Sequence, residues 1–424
     1  MNVTGIIAEY NPFHSGHAYH LAQARKLTRA DYVIAVMSGD FVQRGEPALV
    51  DKYLRTRMAL ENGADLVLEL PVLYATAGGE DFAAGGVAML DRLGVVTSLC
   101  FGSECGDPAH LLSAAEQLND LSPETEKFIR SALKEGLSYP AAVAKAIRIS
   151  DDDTVTADLL SSPNNLLGIE YCRALKHFSS GIQPVTIKRL GEYHDMDMNP
   201  DQSLASEKDH SDRYVSASAL RNCFTTNTVT NALKQLAPCV PESVLHLLES
   251  GAGHSLPLFA NDFSDALFLR LLSHSPETLA QMLDISEDLA GRIRNIVPEV
   301  HSFTHLAETI KCKSYTRLRI NRALVHCLLG ITDRTMNDAK ASGYVHYGRI
   351  LGFRESARPL LKELHLHASI PLIYQMTQAD EQLTPEGKAL LSLDTFAAEL
   401  YRMTAQRKFG SQIPEEYRRR LITI

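Results

Sequence analysis

The first hundred residues alternate short apolar runs with amphipathic stretches. "VTGIIAE" (3–9), "YVIAVMS" (32–38), "DLVLEL" (65–70) and "VVTSLCFG" (95–102) are β-rich and nearly continuously apolar, the pattern of strands buried on both faces. Between them, "HAYHLAQARKLT", "DKYLRTRMALENG" and "EDFAAGGVAMLDRLG" space their apolar residues for helices, and two of these close with glycine, a frequent helix stop. Strand–helix–strand alternation predicts right-handed crossovers and an α/β, doubly wound parallel sheet. A helical pair over 108–135, a helix in "SPNNLLGIEYCRALKHF" and a last strand in "PVTIKRL" (184–190) continue the layout.

Residues 192–213 are polar, rich in Asp and Ser, and aperiodic, which predicts a mobile loop. From about 226 the character changes. "SDALFLRLLSH", "EDLAGRIRNIV" and "RLRINRALVHCLLG" repeat apolar residues at helical spacing with few strand signals. The reading is an α/β unit over 1–225 followed by a mainly α-helical C-terminal domain over 226–424. Length agrees, since 424 residues suit two or three domains.

Composition narrows the class. At 45% hydrophobic and 22% charged, the chain is an ordinary globular protein, and it has no run near the roughly 18 apolar residues of a membrane span. The start lacks a basic leader, and the seven cysteines form no C-x-x-C pair, so a reduced, cytoplasmic protein is expected. A net charge of −9 argues against indiscriminate nucleic-acid binding but leaves room for a local basic face. "KCKSYTRLRINR" (311–322) carries five cations and no acid, and "EEYRRRL" lies near the end. Such runs are commonly solvated helix faces and matter only if a polyanionic partner is called for.

The chemistry concentrates in "AEYNPFHSGHAYHLAQARK" (8–26), where His14, His17 and His20 follow the first strand and open the first helix. The carboxyl end of a parallel strand is where such sheets bind ligands, and a helix N-terminus offers N–H groups and partial positive charge to an anion. His14 and His17 share one face, and Gly16 permits close approach, so the pair can stabilise charge on a phosphate during nucleotidyl transfer. A zinc site on the three histidines lacks the carboxylate or thiolate it needs, so no metal site is assigned, and a purely structural role stays open.

"HSGH" after a first strand resembles the HxGH signature of the HIGH-type nucleotidyltransferase superfamily. In order, "GIIAEYNPFHSGHAYHL", "MSGDFVQRGEPALVDK", "FGSE", "SPNNLLGIEY", "IKR", "SASALR", "SYTRLRINRALVHCLLGI" and "GRILGF" resemble one family of it, the tRNA(Met) cytidine acetate ligases, over most of the chain. The resemblance implies a Rossmann-like core and an ATP-dependent reaction. Acetate attacks the α-phosphate to give acetyl-AMP, and the acetyl group then passes to the wobble cytidine of elongator tRNA(Met), giving N4-acetylcytidine. Mg2+ is expected with the triphosphate.

Carried onto this sequence, the resemblance makes His14 and His17 the catalytic pair within an ATP-binding segment of Ile7, Ala8, Glu9, Tyr10, Asn11, Pro12, Phe13, His14, Ser15, Gly16, His17, Ala18, Tyr19 and His20. It adds Gly102, Asn164, Asn165, Lys188, Arg189, Ser216, Ser218 and Arg221 to the ATP site, and Asp40 as a residue facing substrate. Lys311, Lys313, Arg317, Arg319 and Arg322 become candidate tRNA contacts, with Tyr315 a stacking ring or a core residue. Each has a plainer reading: Ser162, Asn164, Ser216 and Ser218 suit helix starts, and Asp40 and Gly102 suit turns. Two rival functions remain open, a small-molecule adenylyltransferase sharing the HxGH core and a nucleotide-sensing RNA-binding protein.

Overall fold

The computed structural model describes residues 1–134, 139–150, 154–189, 215–312 and 315–424. The 192–213 loop and Lys313 lie outside the described residues. Strands β1 (Val3–Ala8) and β2 (Tyr32–Ser38) are followed by a small hairpin, β3 (Phe41–Val42) and β4 (Glu46–Pro47), and then by β5 (Leu66–Leu70), β6 (Ser98–Ser103) and β7 (Gln183–Lys188). The main strands form a parallel sheet in the order β5-β2-β1-β6-β7, with Ile6 opposite Ala35 and Phe101 opposite Thr186. The four apolar runs at the start of the chain and the run at 184–190 supply these five strands.

Alternation along β2 shows why the runs are continuously apolar. Ile34 and Val36 enter one core with Phe82 and Leu90, whereas Val33, Ala35 and Met37 enter another with Leu21 and Met58. Helices Ser15–Thr28 and Lys52–Glu61 cover the second face. Gly79–Arg92 and Pro163–His177 cover the first. A sheet clothed on both sides has no solvent face to make polar.

Beyond 226 the chain is mainly helical, with the long helix Pro385–Phe409 late in it, but three strands interrupt it among the described residues. β8 (Gly348–Phe353) pairs antiparallel with β5, and β9 (Leu372–Ile373) and β10 (Ile422–Thr423) pair with β8. The sheet therefore crosses the boundary drawn at 225/226. All six residues of β8 are buried, and without them β5 would present an open edge.

A charge cluster marks this junction. Glu69 on β5 meets Lys52 Nζ and Arg349 Nη1, each at 2.8 Å, and Glu416 meets Lys52 Nζ and Arg349 Nη2, each at 2.5 Å. All four groups are buried, and two cations against two carboxylates leave no net charge. Burial pushes the Glu416 carboxyl up, but Lys52 and Arg349 outweigh it and bring it down to about 2. Among the described residues no helix is long and apolar enough to cross a membrane.

Candidate active site

The turn between β1 and the helix Ser15–Thr28 is built from its own sequence. Tyr10, Asn11, Pro12 and Phe13 are buried, so these side chains anchor the loop, while Ile7, Ala8, Glu9 and residues 14–20 keep part of their surface open. Asn11 Oδ1 accepts the Leu49 N–H at 2.7 Å, and the Asn11–Pro12 peptide is cis. Arg55, wholly buried, donates to the carbonyls of Glu9 (2.6 Å), Ser38 (3.0 Å), Gly39 and Val50 (2.8 Å). One guanidinium thus ties the carboxyl ends of β1 and β2 together.

His14 is the N-cap of the helix. Its Nδ1 accepts the Gly16 N–H at 3.1 Å, and its own N–H donates to His17 Nδ1 at 3.2 Å. The two rings stack with centroids 3.7 Å apart and planes 25° apart. Because both Nδ1 atoms accept, the neutral rings carry their protons on Nε2. Neither Nε2 has a hydrogen-bond partner among the described residues, which leaves two N–H donors side by side. Tyr10 and Phe13 wall the far side of His17, with centroids at 5.0 and 5.5 Å.

Electrostatics keeps the pair neutral. Burial, joined by Arg189 and Arg221, lowers His14 to about 3, and burial with the neighbouring His14, His20 and Arg189 lowers His17 well below the usual imidazole value. His20 is lowered to about 4 for the same reasons of burial and Arg189, and its Nε2 lies 3.9 Å from Cys100 Sγ on β6. It therefore points back to the sheet.

The other expected residues arrive from separate elements. Lys188 and Arg189 leave the end of β7 with exposed side chains, and the Arg189 stem faces Gly102 on β6, where a Cβ would sit 3.4 Å from its Cγ. Ser216 caps the helix Ala217–Thr226 by accepting the Ala219 N–H. Arg221 on that helix donates to the Asn11 carbonyl at 2.9 Å, meets Glu46 at 3.4 Å and lies 3.3 Å from Ser218 Oγ. Glu9 accepts the Gln43 N–H at 2.9 Å, and burial raises its carboxyl against the pull of Arg221 and Arg44.

Asn164 and Asn165 brace the loop after β6. Asn165 Oδ1 accepts the N–H groups of Glu104 (2.9 Å) and Cys105 (3.0 Å), while Glu104 Oε1 accepts Asn164 Nδ2 at 2.7 Å and Oε2 accepts the Asn165 N–H at 2.8 Å. Glu104 thus caps the helix Pro163–His177 in place of Ser162, whose side chain makes no cap bond. Asp40 makes its contacts with elements other than the histidine loop. It is buried, its Oδ1 accepts the Lys52 N–H at 2.9 Å, it lines a small enclosed space with Tyr401, Arg402 and Glu416, and burial pushes it up to about 7.

The cations of 311–322 are mostly engaged. Arg317 pairs with Glu308, Arg322 with Asp284 at 3.2 Å, and Arg319 lies 5.2 Å over the ring of Tyr315. Tyr315 is buried and bonds Ser286 (2.7 Å) and Asp288 (3.1 Å), which makes it a core residue. Lys311 is exposed. Sequence reasoning missed Arg55 and Glu104. "FGSE" held the signal for Glu104, but nothing in "DKYLRTRMALENG" marks Arg55 as inward-facing.

A parallel sheet in this order, with paired imidazoles at the end of β1 and arginines from β7 and a later helix beside them, defines a nucleotidyltransferase of the HxGH kind. The family model HIGH Nucleotidyl Transferase matches residues 1–415. The tRNA(Met) cytidine acetate ligase of Acetivibrio thermocellus is 37% identical over 422 residues, 98% of this chain and 99% of that one, and that of a Thermoanaerobacter species is 37% identical over 95% of each. Crystal structures of Thermotoga maritima TmcAL match with a TM-score of 0.89, one bound with alpha-thio ATP (30% identical, 100% of this chain and 99% of that one) and one apo (31%, 100% of both). The chain belongs to the HIGH nucleotidyl transferase family and, within it, to the tRNA(Met) cytidine acetate ligases.

Proposed function

We propose that this protein binds ATP and acetate, forms acetyl-AMP and pyrophosphate, and acetylates N4 of the wobble cytidine in elongator tRNA(Met). The observation that carries the reading is the stacked His14–His17 pair, with both Nδ1 atoms held by main-chain N–H groups and both Nε2 donors free. Preset donors of this kind act where charge develops in the transition state, here on the α-phosphate and the bridging oxygen. An acetate oxygen attacks the α-phosphorus, the bond to the bridging oxygen breaks, and pyrophosphate leaves beside Arg189 and Arg221. The cytidine amine then attacks the acetyl carbon, AMP departs, and the amine loses one proton. The protein forms no covalent bond, so positioning supplies the rate.

Neutral histidines suit this task, since they donate without adding a charge that would hold the product. Among the described residues no group of three or more His, Cys, Asp or Glu is arranged to hold a metal, and Mg2+ would be carried by the oxygens of the triphosphate. A protein that uses ATP and tRNA fits a cytoplasmic setting. Residues 226–424 are assigned to RNA contact.

Acetate-dependent ATP–pyrophosphate exchange, followed by mass spectrometry of nucleosides from incubated tRNA(Met), tests the reading. Exchange that needs acetate and a product heavier by one acetyl group at cytidine support it. Exchange indifferent to acetate overturns it in favour of a small-molecule adenylyltransferase.

A further inference from the structure

The basic run "EEYRRRL" has no part in the nucleotide site. Glu416–Arg418 form a 3-10 turn, and the chain then runs into β10 at the sheet edge. Between this segment and the helices Lys52–Glu61 and Glu242–Gly251 lies a groove of about 840 Å3, lined by Arg57, His254, Arg418, Arg419 and Arg420 among others. Its one lining carboxylate side chain, Asp51, is committed to the N–H groups of Tyr53 (2.9 Å) and Leu54 (3.0 Å).

Arg418 and Arg420 differ from the arginines at 317–322 in being available. Arg420 is exposed and has no ion pair among the described residues. Arg418 is 78% exposed and meets Glu415 only at 3.7 Å, whereas Arg57, 54% exposed, is paired with Glu61 on its own helix at 2.8 Å. Arg419 is fixed over the Tyr53 ring at 4.6 Å. The segment itself is held down by the buried Glu416 pairs with Lys52 and Arg349. Tyr417, 49% exposed, sits beside the groove's arginines in sequence. Two exposed guanidinium groups, Arg420 without an ion pair among the described residues and Arg418 only loosely engaged, stand next to an exposed ring on a protein of net charge −9, an arrangement suited to phosphate contact.

We propose that Arg418 and Arg420 bind backbone phosphates of the RNA substrate, away from the modified base. This rests on the reading of the protein as a tRNA enzyme. β10 stands four strands from β1, about 19 Å at the usual ~4.8 Å spacing, so the contact falls several nucleotides from the cytidine at the histidines. Phosphate contacts at that distance position the RNA without reading its sequence.

The test is Arg418→Ala with Arg420→Ala, and separately Arg420→Glu, both at exposed positions. Binding of tRNA(Met) measured over a salt series should weaken roughly tenfold for the double variant, and the slope of log affinity against log salt should fall by about two. KM for tRNA rises, while acetate-dependent ATP–pyrophosphate exchange and Tm stay at wild-type values. Unchanged affinity and slope in variants of a protein that binds tRNA overturn the groove alone. Loss of exchange overturns it by placing the arginines in the nucleotide site. A wild-type protein that binds no tRNA overturns both the groove and the reading beneath it.

Discussion

Arg221 Nη1 donates to the main-chain carbonyl of Asn11 at 2.9 Å, across 210 residues of sequence. This bond ties the loop that carries His14 to the helix Ala217–Thr226, which begins within "SASALR". Arg221 also lowers His14, so it acts on the imidazole pair by charge as well as by position. Arg221→Ala is expected to cut acetate-dependent exchange by roughly 10- to 100-fold, since small misplacements of reacting groups cost that much. Arg221→Lys keeps the charge and loses the fork, and recovers only part. Full exchange by the alanine variant would remove Arg221 from the site.

The histidine pair makes a sharper case. His17→Ala deletes one Nε2 donor and the Nδ1 that fixes His14, and a loss of roughly 10²–10³ in exchange rate is expected, the scale of an oxyanion donor. The fold should persist, because the ring is only half-buried, and an unchanged Tm checks that.

Protonation follows from the lowered imidazole values, His14 at about 3, His20 at about 4 and His17 also well down. The folded values lie below the unfolded one near 6.5, so the unfolded chain takes up protons first. The stability these rings contribute is whole above about pH 6.5 and lost as pH falls toward 4. An NMR titration of the histidine rings in the free protein should show these three still neutral at pH 5.5. A ring titrating near 6.5 would show a solvated site.

Gly45 has φ +71°, and a Cβ there would stand 2.2 Å from the Arg322 main-chain nitrogen. The hairpin tip "QRGEP" therefore lies directly against the helix Arg317–Leu329. Gly45→Ala adds a left-handed backbone penalty to a backbone clash, and about 1–3 kcal/mol of stability should go, read as a fall in the urea midpoint. A neutral result would mean the tip and helix part easily.

The buried cluster at the sheet junction gives a double-mutant cycle. Glu416→Gln leaves Lys52 and Arg349 with one carboxylate between them, an expected cost of about 3–5 kcal/mol. Adding Lys52→Met should return much of it, because the remaining Arg349–Glu69 pair is balanced. Additive losses would show that the four groups do not act together.

The strands of the nucleotide-binding half were legible because a sheet covered on both faces leaves uninterrupted apolar runs, and "YVIAVMS" matches β2 residue for residue. The histidine loop was legible because "HSGH" sits where a strand turns into a helix. Strand β8 was not, since "GRILGF" is six residues between helices and its pairing with β5 is set some 280 positions away. Lys52 and Arg55 were not, because a helix pattern assigns charged residues to water, and only tertiary partners make an inward cation tolerable. The roles of the 311–322 cations were hidden for the opposite reason: Glu308 reaches them from another helix and Asp284 from a turn.

The late arrival of β8 has a consequence for the chain as it is made. A ribosome that has released residues 1–225 has delivered every strand of the parallel core, yet β5 still shows an open edge and Glu69 and Lys52 still await Arg349 and Glu416. Such an intermediate offers unpaired strand groups to any neighbouring nascent chain. The histidine loop is synthesised long before the strand that closes this edge, so a polypeptide cut short before residue 348 leaves β5 uncovered beside an otherwise assembled parallel core.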